Sequence, residues 1–290
     1  MPDYQPFHPN PTAPVRMPPP RSCDSQFHVF GPVDKYPVRP GAAYQMPTAT
    51  IDVALRLHRT LGIERGVIVQ ATTYGADHEV VLDGLAAAGP GYRGCANAAV
   101  LLERDDAYIA RLHDAGVRGA RFTRQALGIV MGPAQFDRAL GRIRELGWYA
   151  KFQPEPEGIM EQVAQFEKLE IPVLIDHMGR ADPARGAADP TLRKLVELLK
   201  RGNFWVMLSL TEKLSRQGYP WDDVLPIARA CIEAAPDRVV WGSDWPHPVS
   251  VKQPPDEGRL VDQLFRYAGD DATLHKILVD NPTRLFGFDA

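Results

Sequence analysis

Three stretches far apart in the chain each end in a side chain capable of proton or metal chemistry. Val239-Val240-Trp241-Gly242-Ser243-Asp244 ends in a carboxylate, and the chain turns at once through Pro246. Ser22-Cys23-Asp24-Ser25-Gln26-Phe27-His28 reaches an imidazole two residues after an amide, and Pro172-Val173-Leu174-Ile175-Asp176-His177 closes on an acid and an imidazole. A carboxylate at the end of a buried run is costly unless it is paired, hydrogen-bonded or bound to a metal. One such aspartate could serve only to cap the next turn; three such ends point to a shared site. If Asp244, His28 and His177 converge, two chemistries are open. They can hold a metal ion, one Zn2+, that activates water. Alternatively, with no cofactor required, the acid acts as base on water while the imidazoles polarise a carbonyl.

For those ends to meet, the runs must be parallel strands opening on one mouth. Short, continuously apolar runs are the pattern of strands buried on both faces. Strands are read at 22–30, 66–70, 92–98, 116–122, 148–152, 172–177, 204–208 and 239–244, the first, third and fourth of them interrupted by polar residues. Helical spacing is predicted over 50–61, 77–88, 105–115, 133–146, 158–169, 192–199 and 222–235, with two short helices at 258–267 and 272–279 closing the chain. Eight strands alternating with helices in a chain of 290 residues predict a (β/α)8 TIM barrel, a single domain over 22–290. Gln26 and His28 then share one strand face, and Gly116-Val117-Arg118-Gly119-Ala120-Arg121-Phe122 is a fourth strand carrying Arg121 toward the mouth. No glycine-rich dinucleotide fingerprint follows the first strand, and no phosphate-cradling GKS or GKT occurs. Residues 1–21 are proline-rich and include Pro18-Pro19-Pro20. They are expected to form an extended arm, either loose or laid as a strap over the barrel or a neighbouring subunit.

Composition narrows the function classes. The net charge of −3 gives no reason to bind nucleic acid or an anionic membrane surface. No apolar run is long enough to cross a bilayer, and the N-terminal stretch has no signal-like apolar core. Cys23, Cys95 and Cys231 are scattered, which argues for a reducing, cytoplasmic setting and against a disulfide frame or cysteine zinc site.

Asp24-Ser25-Gln26-Phe27-His28, Ile175-Asp176-His177-Met178-Gly179-Arg180 and Trp241-Gly242-Ser243-Asp244-Trp245-Pro246-His247-Pro248 resemble motifs of the amidohydrolase superfamily. The resemblance is strongest to the branch containing 2-pyrone-4,6-dicarboxylate lactonase and related lactone-processing enzymes. It runs from about Arg21 to Phe288 and includes Gly31-Pro32, Val69-Gln70, the 116–122 strand and Asp280-Asn281-Pro282-Thr283-Arg284-Leu285. The resemblance implies a distorted (β/α)8 barrel that opens the ester bond of a small anionic lactone, of the 2-pyrone dicarboxylate or sulfo- or carboxy-muconolactone type, in breakdown of aromatic compounds. It implies that Asp244 deprotonates water and later protonates the leaving oxygen, that His28 and His177 polarise the carbonyl, and that His247 touches substrate or product. Arg121, Arg180 and Tyr44 would hold the substrate's carboxylates, with Arg124 a further candidate; a guanidinium fork suits a carboxylate or sulfonate.

Three departures from the superfamily pattern bear on the chemistry. Gln26 stands where the first histidine of His-x-His is expected. A neutral amide is a poor transition-metal ligand but a good donor to a developing oxyanion, so Gln26 is expected in the oxyanion site. The fourth strand offers no lysine or acid to bridge two metals. Lys213 stands where an arginine is expected after the seventh strand, a point charge in place of a fork, which leaves room for a different acid group on the substrate. Metal-independent hydrolysis leads these expectations. A mononuclear zinc lactonase using His28, His177 and Asp244, and a sugar-acid lactone isomerase on the same site, are the alternatives; the retained Asp244 speaks against a barrel that only binds a small acid. Homo-oligomerisation is compatible with all of them.

Overall fold

Eight parallel strands lie in chain order: β1 (Cys23–Phe27), β2 (Arg65–Val69), β3 (Tyr92–Asn97), β4 (Val117–Phe122), β5 (Tyr149–Phe152), β6 (Val173–Ile175), β7 (Phe204–Leu208) and β8 (Val239–Trp241). The structure is a computed structural model describing residues 3–123 and 131–289. Alternate residues divide between two cores, as the two-residue period of a strand requires. Val67, Val69, Cys95, Tyr149, Leu174, Trp205, Met207 and Val240 fill the barrel with Phe286 and Phe288 of the C-terminal segment, while Ile68, Ala150, Phe152, Val206 and Trp241 face the outer layer.

In β1 this parity breaks. Cys23 joins the inner core but Phe27, four residues on, joins the outer one. The pairing of β1 with β2 shifts between Asp24 and Phe27, so that three steps along β1 match two along β2. Such a bulge inserts one residue and re-aims the side chains beyond it. It is what turns Gln26 and His28 inward.

The ladder runs from β1 to β8 and leaves a seam between those two strands. Hydrogen bonds beyond the strand ends bridge it: Asp244 N donates to Gln26 O at 2.9 Å, and His28 N donates to Trp245 O at 2.7 Å. Buried Asp24 ties both sides, its Oδ1 accepting from Gln26 N at 3.1 Å and from Ser243 N at 2.9 Å. A Cβ on Gly242 would stand 2.8 Å from Gln26 Cβ and 2.9 Å from Gln26 N, so the close approach requires glycine.

Helices Ile51–Leu61, Glu79–Ala88, Asp106–Asp114, Pro133–Leu146, Pro190–Leu199 and Leu225–Ala234 clothe the barrel near their expected places. The helix expected over 158–169 does not form; that stretch is a series of turns with one short 3₁₀ segment, Val163–Gln165. Its helically spaced apolar residues Ile159, Val163 and Phe166 are buried all the same, and Phe166 stacks on Phe152 with centroids 4.6 Å apart. Packing on the barrel uses the apolar spacing without a continuous helix. The proline-rich arm is laid down as a strap: Thr12 donates from N and Oγ1 to the Asp256 carboxylate at 2.9 and 2.6 Å, and Val15 N donates to Asp262 at 2.7 Å. Among the described residues, no helix is long and apolar enough to cross a membrane.

Candidate active site

The carboxyl ends of β1, β6 and β8 bring His28, His177 and Asp244 together around a small cavity of ≈130 Å³, also lined by Tyr44, Thr72, Arg121, Gln153, Arg180 and Lys213. Asp244 and His177 both hold left-handed backbone conformations, φ 61° and 55°. Non-glycine residues pay about 1–2 kcal/mol there, a cost that clusters at functional sites.

Asp244 Oδ1 accepts a hydrogen bond from Gln26 Nε2 at 2.7 Å and lies 3.4 Å from His28 Nε2. Burial opposes charge on Asp244, but His177, His28 and more distant Lys213 outweigh it and hold the carboxyl well below the usual carboxylate range. His28 Nδ1 lies 2.8 Å from Val69 O. A carbonyl only accepts, so Nδ1 carries the hydrogen, and Nε2 can donate only when the ring is doubly protonated. His177 Nδ1 lies 2.9 Å from Ser209 Oγ. Burial pushes His177 down to about 4, against the pull of Asp244 and Asp176, so its ring is neutral at neutral pH.

Arg121, on β4, donates to Gln70 O at 3.1 Å and lies 3.7 Å from Asp176, with its Nε in the cavity wall and unbonded among the described residues. Lys213 Nζ donates to Pro248 O at 2.9 Å. Tyr44 Oη accepts from Thr72 Oγ1 at 3.1 Å, and burial pushes its phenol upward, so it keeps its proton as a donor. Arg121, Arg180 and Lys213 give the cavity a basic lining beside the Asp244 carboxylate, and Tyr44 adds a neutral donor.

Two residues sit differently from their expected roles. Gln26 is absent from the lining of the cavity: its Nε2 donates to Asp244 and its Oε1 accepts from Lys151 Nζ, so it holds the acid. His247 is fully buried behind the cavity between two glutamates, 3.1 Å from Glu212 and 3.3 Å from Glu257. Burial alone would keep that ring neutral; the flanking carboxylates raise it to about 9. Its two ring nitrogens face these glutamates, and it is absent from the lining of the cavity. Arg124 lies outside the described residues.

Lys151 escaped the sequence reading, as did the buried role of Asp176. The signal was there in Tyr149-Ala150-Lys151-Phe152, where a lone charge stands on the inner face of an apolar strand and must find a partner. Lys151 finds Asp176, 3.0 Å away.

The amidohydrolase family pattern matches residues 14–288. The chain is 35% identical over 276 residues to the 4-sulfomuconolactone hydrolase of Hydrogenophaga intermedia, covering 93% of this chain and 89% of that one. It is 35% identical over 295 residues to the 2-pyrone-4,6-dicarboxylate hydrolase of Comamonas testosteroni, covering 98% and 96%. It is 29% identical over 282 residues to the D-galactarolactone isomerase of Agrobacterium fabrum, covering 95% and 94%. Among solved structures, an Agrobacterium tumefaciens protein in its apo form matches with a TM-score of 0.80 at 27% identity, covering 95% of this chain and 99% of that one. The chain belongs to the amidohydrolase family, in the branch of these lactone-processing relatives.

Proposed function

We propose that the protein hydrolyses a small anionic lactone, of the 4-sulfomuconolactone or 2-pyrone-4,6-dicarboxylate type, using water activated by Asp244. The observation that carries this reading is an ionised, buried aspartate sharing one cavity with two imidazoles and a basic rim. Asp244 takes a proton from water as the oxygen attacks the lactone carbonyl. His177, with Ser209 donating to Nδ1, presents Nε2–H to the developing oxyanion, and His28 lines the same cavity beside Asp244. The ring C–O bond then breaks, and Asp244 returns its proton to the leaving oxygen, giving the open-chain acid. Arg121, Arg180, Lys213 and Tyr44 surround the place where the substrate's acid groups would lie.

The superfamily suggests a zinc ion on His28, His177 and Asp244; the surroundings of Gln26 speak against that donor set. Among the described residues, no three His, Cys, Asp or Glu side chains are placed to hold a metal. Gln26, in place of the superfamily's first histidine, turns its N–H toward Asp244 because Lys151 takes its oxygen, so that position offers a cation a hydrogen and no lone pair. The reading therefore uses water and protein groups alone, and turnover should persist after chelation in protein that metal analysis shows to be metal-free.

Asp244→Asn should lower turnover about a hundredfold to ten-thousandfold, while calorimetry still registers the open-chain diacid binding. Unchanged turnover would remove Asp244 as base. The isomerase relative supports a second reading, in which a substrate hydroxyl replaces water. NMR of the product separates the two: an open diacid means hydrolysis, a rearranged ring means isomerisation.

A further inference from the structure

Lys151 is fully buried inside the barrel, and no step above employs it. Its Nζ lies 3.0 Å from Asp176 Oδ1 and donates to Gln26 Oε1. An ammonium has only hydrogens to offer, so it dictates the sense of the Gln26 amide: oxygen toward Lys151, nitrogen away. That nitrogen donates to Asp244 Oδ1 at 2.7 Å. Oδ1 is thereby occupied, with His28 Nε2 also 3.4 Å from it, while Oδ2 takes no hydrogen bond among the described residues.

Packing does not explain this arrangement. A buried ion pair such as Lys151–Asp176 adds little net stability, and apolar residues of similar volume often replace one at no loss. What an apolar pair could not do is orient an amide. Without the ammonium, Gln26 could turn its oxygen toward the Asp244 carboxylate, where two acceptors would repel and the acid would leave its place.

We propose that Lys151 is a positioning residue for Asp244, acting through Gln26 to hold Oδ1 and present Oδ2 to the attacking water. The inference rests on the reading of Asp244 as base, and the test separates the two. Four variants, Asp244→Asn, Lys151→Met, Gln26→Met and the Lys151→Met/Gln26→Met double, are assayed beside the parent with 4-sulfomuconolactone and 2-pyrone-4,6-dicarboxylate as probes. Lys151→Met and Gln26→Met are each expected to lower kcat about 10- to 100-fold with KM changed less than about threefold, since the loss is of base geometry and not of substrate contacts. Both break one chain of contacts, so the double variant should be no more than about twofold slower than the slower single; a purely structural lysine would make the two losses multiply.

The proposal is overturned if the two losses multiply, or if either single variant keeps kcat within about twofold of the parent while Asp244→Asn is inactive. An active Asp244→Asn overturns the base reading itself, and the relay with it. Should Lys151→Met fail to fold, Gln26→Met, which leaves the Lys151–Asp176 pair in place, decides by its kcat alone.

Discussion

The ring of Phe7 packs against that of Trp245, centroids 5.2 Å apart, so the N-terminal arm rests on the residue that follows Asp244. The same arm donates from Gln5 N to Ser250 O at 2.8 Å and is anchored at Thr12 by Asp256, which also caps the helix Glu257–Ala268. A Cβ on Gly258 would lie 2.3 Å from Thr12 O, so arm and helix are in direct contact. Asp256→Ala removes the cap and both Thr12 bonds. A lost cap costs about 0.5–2 kcal/mol, and at this size roughly 2–4 °C of Tm per kcal/mol. The melting temperature should fall accordingly, and removal of residues 1–14 should lower both Tm and kcat/KM.

His247 between Glu212 and Glu257 makes stability depend on pH. Its raised value, about 9 against an ordinary 6.5, means that the stabilisation is complete below 6.5 and is lost as pH rises through 9. Glu212, which burial would raise but His247 holds low, contributes above its ordinary 4.5 and loses that contribution as pH falls below it. Thermal melts of the parent and His247→Gln should therefore differ most between the two ordinary values, 4.5 and 6.5, by several degrees, and converge above pH 9. A gap that stays constant with pH would show that the ring carries no charge.

Ser209 is the hydrogen-bond partner of His177 Nδ1. Neutral His177 can donate to an oxyanion from Nε2 only if Nδ1 accepts, and the Ser209 hydroxyl 2.9 Å away can supply the hydrogen that Nδ1 then accepts. Ser209→Ala should lower kcat about fivefold to tenfold, the size of one net hydrogen bond, with KM little changed. Because His177 is held near 4 and Asp244 lower still, the parent's kcat/KM should decline only as pH falls toward 4. A limb near 6.5 would contradict the neutral state assigned to His177.

Gly242 sets the width of the seam. With a Cβ placed 2.9 Å from Gln26 N, Gly242→Ala must push β8 and β1 apart. Overpacking of this kind costs about 1–3 kcal/mol. The shift would also lengthen the Gln26–Asp244 bond, so kcat should fall further than the change in Tm alone would suggest. Activity and melts measured together would reveal an equal or smaller effect if the seam does not position the acid.

The eight strands, the order of their helices and the convergence of His28, His177 and Asp244 were legible in the chain itself, because buried parallel strands need continuous apolar runs and their polar ends stand out against them. Helical spacing misled at 158–169, where Ile159, Val163 and Phe166 are buried by turns packed on Phe152. The inward aim of Gln26 and His28 depends on a bulge in β1, and a bulge follows from how two strands pair, not from the residues of one. Gln26 read alone is an oxyanion donor; Lys151 and Asp244, brought against its two ends by folding, make it a holder of the acid. His247 likewise changed from a substrate contact to an internal cation because Glu212 and Glu257, far off in the chain, close on both its nitrogens. Periodicity and strand-end chemistry are local and survive in one dimension, whereas the protonation and orientation of a buried polar group are set by whatever tertiary packing places beside it.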